Sequence, residues 1–326
     1  MASDPAHTFP ASGLVEKSGT SAPLAILLCT YNGARFLPQQ LASYEAQDFA
    51  DWRLYVSDDG SQDATLSLLE AFQKKHGAEK VHIRRGPCRG FVANFLSLIC
   101  DPSITNAYCA LSDQDDVWAA DKLSRALASL SAAPGDAPVV YCSRTRLIDE
   151  NGADVRLSYL YKKPPHFRNA LTQSLASGNT MVLNEAARCL LMRAGADVSV
   201  PSHDWWIYLA TTAAGGRMLY DSAPTVGYRI HQRNVIGSNR SAGAQMRRAG
   251  MLLQGRYKNW TDQHVAALTR LQDAMTEENR RTFEQFRRSR KRSALPRVYG
   301  LFRSGVYRQS FLGNIGLLAA ALTGKV

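Results

Sequence analysis

Between Leu24 and Leu130, apolar runs alternate with stretches of helical period, and polar clusters end several of the runs. Leu24-Ala25-Ile26-Leu27-Leu28-Cys29 lies between Pro23 and Thr30-Tyr31-Asn32-Gly33, as a strand covered on both faces reads. Ala34–Gln47 carries Phe36, Leu37, Gln40, Leu41 and Tyr44 at helical spacing. Trp52-Arg53-Leu54-Tyr55-Val56-Ser57 is a second strand, closed by Asp58-Asp59-Gly60-Ser61. A helix over Ala64–Lys75 follows, then a short strand from Val81, a helix over Phe91–Cys100 and a strand over Tyr108–Leu111. The pattern predicts an α/β fold, Rossmann-like, with a mostly parallel central sheet flanked by helices.

In such sheets ligands bind beyond the carboxyl ends of the strands. The polar clusters fall at three of those ends: Thr30-Tyr31-Asn32, Asp58-Asp59-Gly60-Ser61 and Ser112-Asp113-Gln114-Asp115-Asp116. The last packs three carboxylates into four positions, and like charges so close require a compensating cation or hydrogen-bond donors. A divalent metal is the simplest compensation, and oxygen-only donors suit Mg²⁺ or Mn²⁺, which keep positions open for substrate phosphates. The plainer alternative is a solvated acidic loop, with Asp116 capping a helix that starts at Val117.

Beyond Ala133 the alternation weakens. Val139–Cys142 and Thr180–Leu183 read as strands, Asp204–Ala210 begins a helix, and Val226–Ile230 is a short strand running into His231. From Ala242 onward the text is helical and rich in arginine. Residues 240–326 hold 17 Lys and Arg against 5 Asp and Glu, so the net charge of +11 resides there. A basic region beside a neutral body predicts a separate anionic partner. The six cysteines form no CxxC pair, which points to a reducing compartment without a disulfide framework or zinc site. Neither a signal peptide nor a membrane-spanning stretch is expected, and residues 1–22 read as a disordered lead.

The motifs together resemble the family 2 glycosyltransferases of the GT-A fold. The likeness rests on Thr30-Tyr31-Asn32-Gly33, Ser57-Asp58-Asp59-Gly60-Ser61-Gln62-Asp63-Ala64-Thr65, Asp113-Gln114-Asp115-Asp116 and His203-Asp204-Trp205-Trp206. It runs from Pro23 to Gly237, which makes 23–237 the catalytic domain and 238–326 a basic helical extension. Ser-Asp-Gln-Asp-Asp-Val-Trp, with Tyr228-Arg229-Ile230-His231-Gln232-Arg233-Asn234-Val235-Ile236-Gly237, looks most like the bacterial rhamnosyltransferase-like branch.

The resemblance implies an inverting transfer from a dTDP- or UDP-sugar to a glycan or polyprenyl-linked acceptor in cell-surface polysaccharide synthesis. Asp115 would ligate Mg²⁺ or Mn²⁺, with His231 as ligand or diphosphate contact and Arg233 nearby. Asp113 would face the donor ribose or a metal-bound water. Asp116 would ligate, support a ligand or cap a helix. Thr30, Tyr31 and Asn32 would hold base and ribose, Asp59 with Asp58 the base imide, and Arg89, Gly90 and Asn94 the donor-side loop. Asp204 would be the general base. Gly178, Asn179, His203 and the Trp205 face would meet the acceptor, although the family more often has Glu where His203 stands. A non-catalytic sugar-nucleotide-binding scaffold is the alternative, and it would have no need of Asp204.

Arg280, Arg281, Arg287, Arg288, Arg290, Lys291, Arg292 and Arg297 are interleaved with Phe283, Phe286, Leu295 and Phe302. This suits helices lying against an anionic membrane surface, hence a cytoplasmic protein peripheral on the inner face of the cell membrane. The alternative is helices packed on the catalytic domain or on a second copy of the chain. Nucleic acid is not expected, because no recognition fold is evident.

Overall fold

A computed structural model describes residues 24–133, 136–231 and 256–326. The lead over 1–22, Arg233, the rest of the 232–237 motif and the start of the basic helical text lie outside the described residues. Among the described residues nine strands form one sheet: β1 Leu24–Thr30, β2 Trp52–Asp58, β3 Val81–Arg85, β4 Tyr108–Ser112, β5 Val117–Trp118, β6 Val139–Ile148, β7 Asp154–Leu157, β8 Val182–Asn184 and β9 Arg217–Arg229. Their order is β3-β2-β1-β4-β8-β6-β9-β5, with β7 also on β6. The half from β3 to β4 is parallel throughout. Beyond it β8 runs antiparallel to both β4 and β6, and β9 returns parallel to β6.

The all-apolar run of β1 is explained by two cores. Ala25, Leu27 and Cys29 join one, and Leu24, Ile26 and Leu28 join the other, the period-two alternation of a strand covered on both faces. Helices α1 (Leu37–Glu45), α2 (Thr65–His76) and α4 (Lys122–Ser131) cover one face. Helices α3 (Phe91–Ile99), α5 (Phe167–Ala170), α6 (Glu185–Ala194) and α7 (His203–Ala213) cover the other. Four further helices of the described residues are α8 Arg256–Thr269, α9 Glu277–Arg290, α10 Ala294–Ser304 and α11 Phe311–Leu322. Leu268, Phe283, Phe286, Leu301 and Leu317 extend the second core, so the C-terminal helices pack onto the α/β body. No helix among the described residues is long and apolar enough to cross a membrane.

Two expectations are corrected. The short strand expected over Val226–Ile230 is the end of β9, which begins at Arg217. Its register against β6 shifts where Asp221 and Pro224 occupy successive partner positions, a bulge through which the strand continues. And Asp116 caps no helix. It is fully buried, the next residues form β5 against β9, and α4 starts only at Lys122.

Candidate functional site

The register of the parallel half brings the polar clusters to one rim. Thr30 at the end of β1 is paired with Asp58 at the end of β2, and Leu28 with Ser112 at the end of β4. Side chains then lace the loops together. Asp58 is buried and saturated: it accepts from Thr30 Oγ1 at 2.7 Å, from Ser61 Oγ at 2.6 Å and from the N–H groups of Gly60 and Ser61. Asp58 is therefore a loop builder, which corrects its expected contact with a base. Asn32 sits at φ +47°, receives the Gln62 N–H on its side chain, and donates its own N–H to Ser61 Oγ. The Tyr31 ring is 58% exposed at the lip.

Asp59 accepts the N–H of Cys88 at 2.6 Å and of Gly90 at 2.8 Å, folding the 86–90 loop over the rim. Gly90 stands at φ +87°, a conformation that favours glycine, and it caps α3. Arg89 is exposed on this loop. Asn94 is buried and donates to the Ser57 carbonyl at 2.8 Å. The expected donor contact of Asn94 is thus corrected to a tie between α3 and β2.

Sequence reasoning missed how the acidic pentad is compensated. Lys122 is fully buried beneath it, donating to the Asn179 carbonyl at 2.6 Å and lying 3.4 Å from the centre of the Trp118 ring. Arg229, also fully buried, donates through its side chain to the carbonyls of Asp115, Asp149 and Glu150 and to Gln39, and its backbone N–H reaches Asp116. Gln114 clasps the backbone of Tyr31 with two hydrogen bonds, of 2.8 and 2.9 Å. A signal existed for Lys122, which lies in the stripe Lys122–Ala126–Leu130 that α4 buries.

Burial and the charge of Asp115 lift Asp116 to about 7, against the pull of its hydrogen bond from Asn179. Burial also holds Asp113 well above the usual carboxylate range, reinforced by Asp116, Asp115 and Asp204. Burial pushes Lys122 down, while Asp116 and Asp113 resist. Asp115 is half-buried and its Oδ2 lies 2.7 Å from His231 Nε2, with Phe36 stacked on the His231 ring.

On the other side of the rim, Asp204 is the second residue of α7 and half-buried, and its Oδ1 accepts the Trp205 N–H at 2.6 Å. The residue before it, His203, packs on Phe91 and Phe95 of α3, the helix that follows the 86–90 loop, which places the start of α7 beside this rim. Two acceptor expectations are corrected. Trp205 is buried, donates to the Ala170 carbonyl at 2.7 Å and packs on Tyr257, Trp260 and His264, so it offers no face to a sugar. Trp206 is wholly buried as well. Asn179 is buried under the pentad, donating to Asp116, so it lines no open pocket. Gly178 leaves the room that the ring of His203 fills, since a Cβ there would stand 2.2 Å from Nε2.

His203 is buried and stacked on Phe95 at 4.0 Å. Burial holds it down at about 4, and burial with Arg290 holds His264 at about 3. Both folded-state values lie below the unfolded value of about 6.5. Each ring therefore takes up a proton on unfolding, and stability is full above about pH 6.5 and falls as pH drops towards 4. At pH 5 each costs roughly 2 kcal/mol. The expected result is a lower melting temperature at pH 5 than at pH 7.5, a difference that His264→Leu makes smaller. Equal pH dependence in parent and variant would refute this.

The profile of the family described as Glycosyl transferase family 2 matches residues 25–191. Over 245 residues the chain is 27% identical to the dTDP-rhamnosyl transferase RfbG of Shigella flexneri, covering 71% of this chain and 81% of that one. Its fold is similar to S. aureus TarS residues 1–349, solved in complex with UDP-GlcNAc (TM-score 0.51, 16% identity, 87% of this chain and 93% of that one). It is also similar to GalNAc-T7, solved with UDP, GalNAc and Mn²⁺ (TM-score 0.52, 12% identity, 93% of this chain and 58% of that one). These likenesses establish the fold as GT-A.

Proposed function

We propose that this chain, which belongs to glycosyl transferase family 2, transfers L-rhamnose with inversion from its dTDP conjugate to a glycan or polyprenyl-linked acceptor. Cell-surface polysaccharide synthesis is the setting such an acceptor implies. The likeness to a dTDP-rhamnosyl transferase supports the donor. The observation that carries the chemistry is the meeting of Asp113, Asp115 and Asp204 on one rim, with Asp204 on a different element from the other two.

Asp204 takes the proton of the acceptor hydroxyl as that oxygen attacks the anomeric carbon. The bond from that carbon to the diphosphate breaks on the opposite face, and its electron pair leaves with the phosphate oxygen. Tyr31 offers its exposed ring to the base, and Asp59 holds the 86–90 loop, with Arg89, beside the donor.

Of the two ions, the donor set fits Mn²⁺ better than Mg²⁺, which prefers oxygen ligands throughout. Asp115 Oδ2 and His231 Nε2 are a carboxylate oxygen and an imidazole nitrogen already side by side. Among the described residues no group of three or more His, Cys, Asp or Glu side chains could hold a metal, so the diphosphate and water would supply the remaining ligands. A divalent ion bound there would offset the charge that gathers on the leaving diphosphate.

The test is a melting-temperature screen of nucleotide sugars with Mn²⁺ or Mg²⁺, followed by a transfer assay with dTDP-L-rhamnose. Stabilisation by dTDP-L-rhamnose above other donors, and a product of inverted configuration, are expected. Excess EDTA or Asp115→Ala lowers transfer by about 10²-fold or more. Donor binding without turnover on any glycan would favour a scaffold instead, and full activity in EDTA would remove the metal from the reaction.

A further inference from the structure

The C-terminal helices α10 and α11 carry a surface that the transfer reaction does not use. On α10, Leu295, Tyr299 and Phe302 recur at positions i, i+4 and i+7, one stripe of a helix. On α11, Phe311, Leu312 and Ile315 begin a second stripe. These six side chains are exposed, Phe302 by 83% and Phe311 by 80%, among the most exposed large apolar groups of the described residues. The two helices pack on each other and bury their opposite sides, through Leu301 and Leu317, in one core, so both stripes look away from it. Arginines fix the pair from within. Arg297 donates to the Ala321 carbonyl at 2.7 Å and to the carbonyl of Arg292, and Arg290 to the carbonyl of Val326 at 2.9 Å.

The charge of this segment points to what covers it. From Lys291 to Val326 the chain holds Lys291, Arg292, Arg297, Arg303, Arg308 and Lys325 and no acidic residue. Lys291, Arg292 and Arg303 are exposed beside the apolar stripe of α10. A second copy of the chain would bring an equally cationic face against this one. A layer with anionic headgroups above acyl chains complements both features, cations meeting phosphate and aromatic and leucine side chains entering the boundary. Helices of 11 and 12 residues are too short to span a bilayer but can lie along it.

We infer that the α10–α11 face docks on an anionic phospholipid bilayer. The inference is independent of the donor assignment. The test is sedimentation of the full chain with phosphatidylglycerol vesicles and with phosphatidylcholine vesicles, at low and high salt. Binding to phosphatidylglycerol at low salt that falls as salt rises, with little binding to phosphatidylcholine, is expected. The double substitution F302E/F311E weakens binding by about a hundredfold. It leaves the melting temperature and its rise with nucleotide sugar unchanged, which separates loss of docking from loss of fold or of the site. Three results would overturn the inference: no binding to phosphatidylglycerol at low salt, equal binding by the double variant, or a dimer in solution that the double variant dissolves.

Discussion

Asp204→Asn is expected to lower glycosyl transfer by about 10²–10⁴-fold while leaving donor binding and the melting temperature close to those of the parent. Asparagine keeps the shape of the side chain, and its carbonyl oxygen can still accept the Trp205 N–H that Asp204 Oδ1 accepts at 2.6 Å. What it cannot do is take a proton. Asp204 is half-buried at the start of α7, with no ion pair among the described residues, as a group that must exchange a proton with substrate requires. Burial pushes Asp113 and Asp116 towards their protonated forms, with Asp116 and Asp115 adding to the effect at Asp113 and Asp115 adding to it at Asp116. The measurement is initial transfer rate beside a melting curve with and without nucleotide sugar. Undiminished transfer in the variant rules Asp204 out as the base. A loss that runs parallel with lost donor stabilisation assigns it to binding.

Lys122→Met is expected to destabilise the fold by about 3–5 kcal/mol, the usual effect of removing one partner of a buried charge cluster. Lys122 has no exposed surface, and Asp116 and Asp113 oppose the loss of its proton that burial favours. Without it the carbonyl of Asn179 loses its donor and the two carboxyls lose an opposing charge. A fall in melting temperature of roughly 10 °C would follow. Adding Asp116→Asn to Lys122→Met should restore part of the loss, because the second change removes the charge that the first left uncompensated. Additive losses in the double variant would show that Lys122 acts through packing on Trp118 alone.

The strand-end clusters were legible because each is local: an apolar run, then a polar turn, repeated. Asp113 and Asp115 stood out in the same way, as carboxylates at a strand end, whereas Asp204 was singled out through the resemblance to the family. Asn179, Trp205 and Asn94 could not be judged locally. Asn179 and Trp205 look like pocket-lining residues in sequence, yet Asn179 is taken up by Asp116 and Lys122, and Trp205 by three aromatic groups of α8 some fifty positions later. A side chain's burial depends on which distant element lands on it, and no local period encodes that. The extent of β9 was hidden for a related reason, since its pairing with β6 from Arg217 onward, through the register shift at Asp221 and Pro224, is a contact between distant segments.

The sequence by itself determined the alternating α/β order, the rim on which the polar loops meet, and the carboxylates available for chemistry there. It also determined that the positive charge collects at the C-terminal end. Only the tertiary structure decided how the acidic pentad is held. Lys122 and Arg229, from α4 and β9, lie beneath it and carry opposing charge, while Asp115 remains half-buried beside His231. The physical reason is that compensation of a buried charge acts through space, and here its sources stand on different elements. A cation can be counted in the sequence, but whether it faces water or a carboxylate is set by the packing of the sheet.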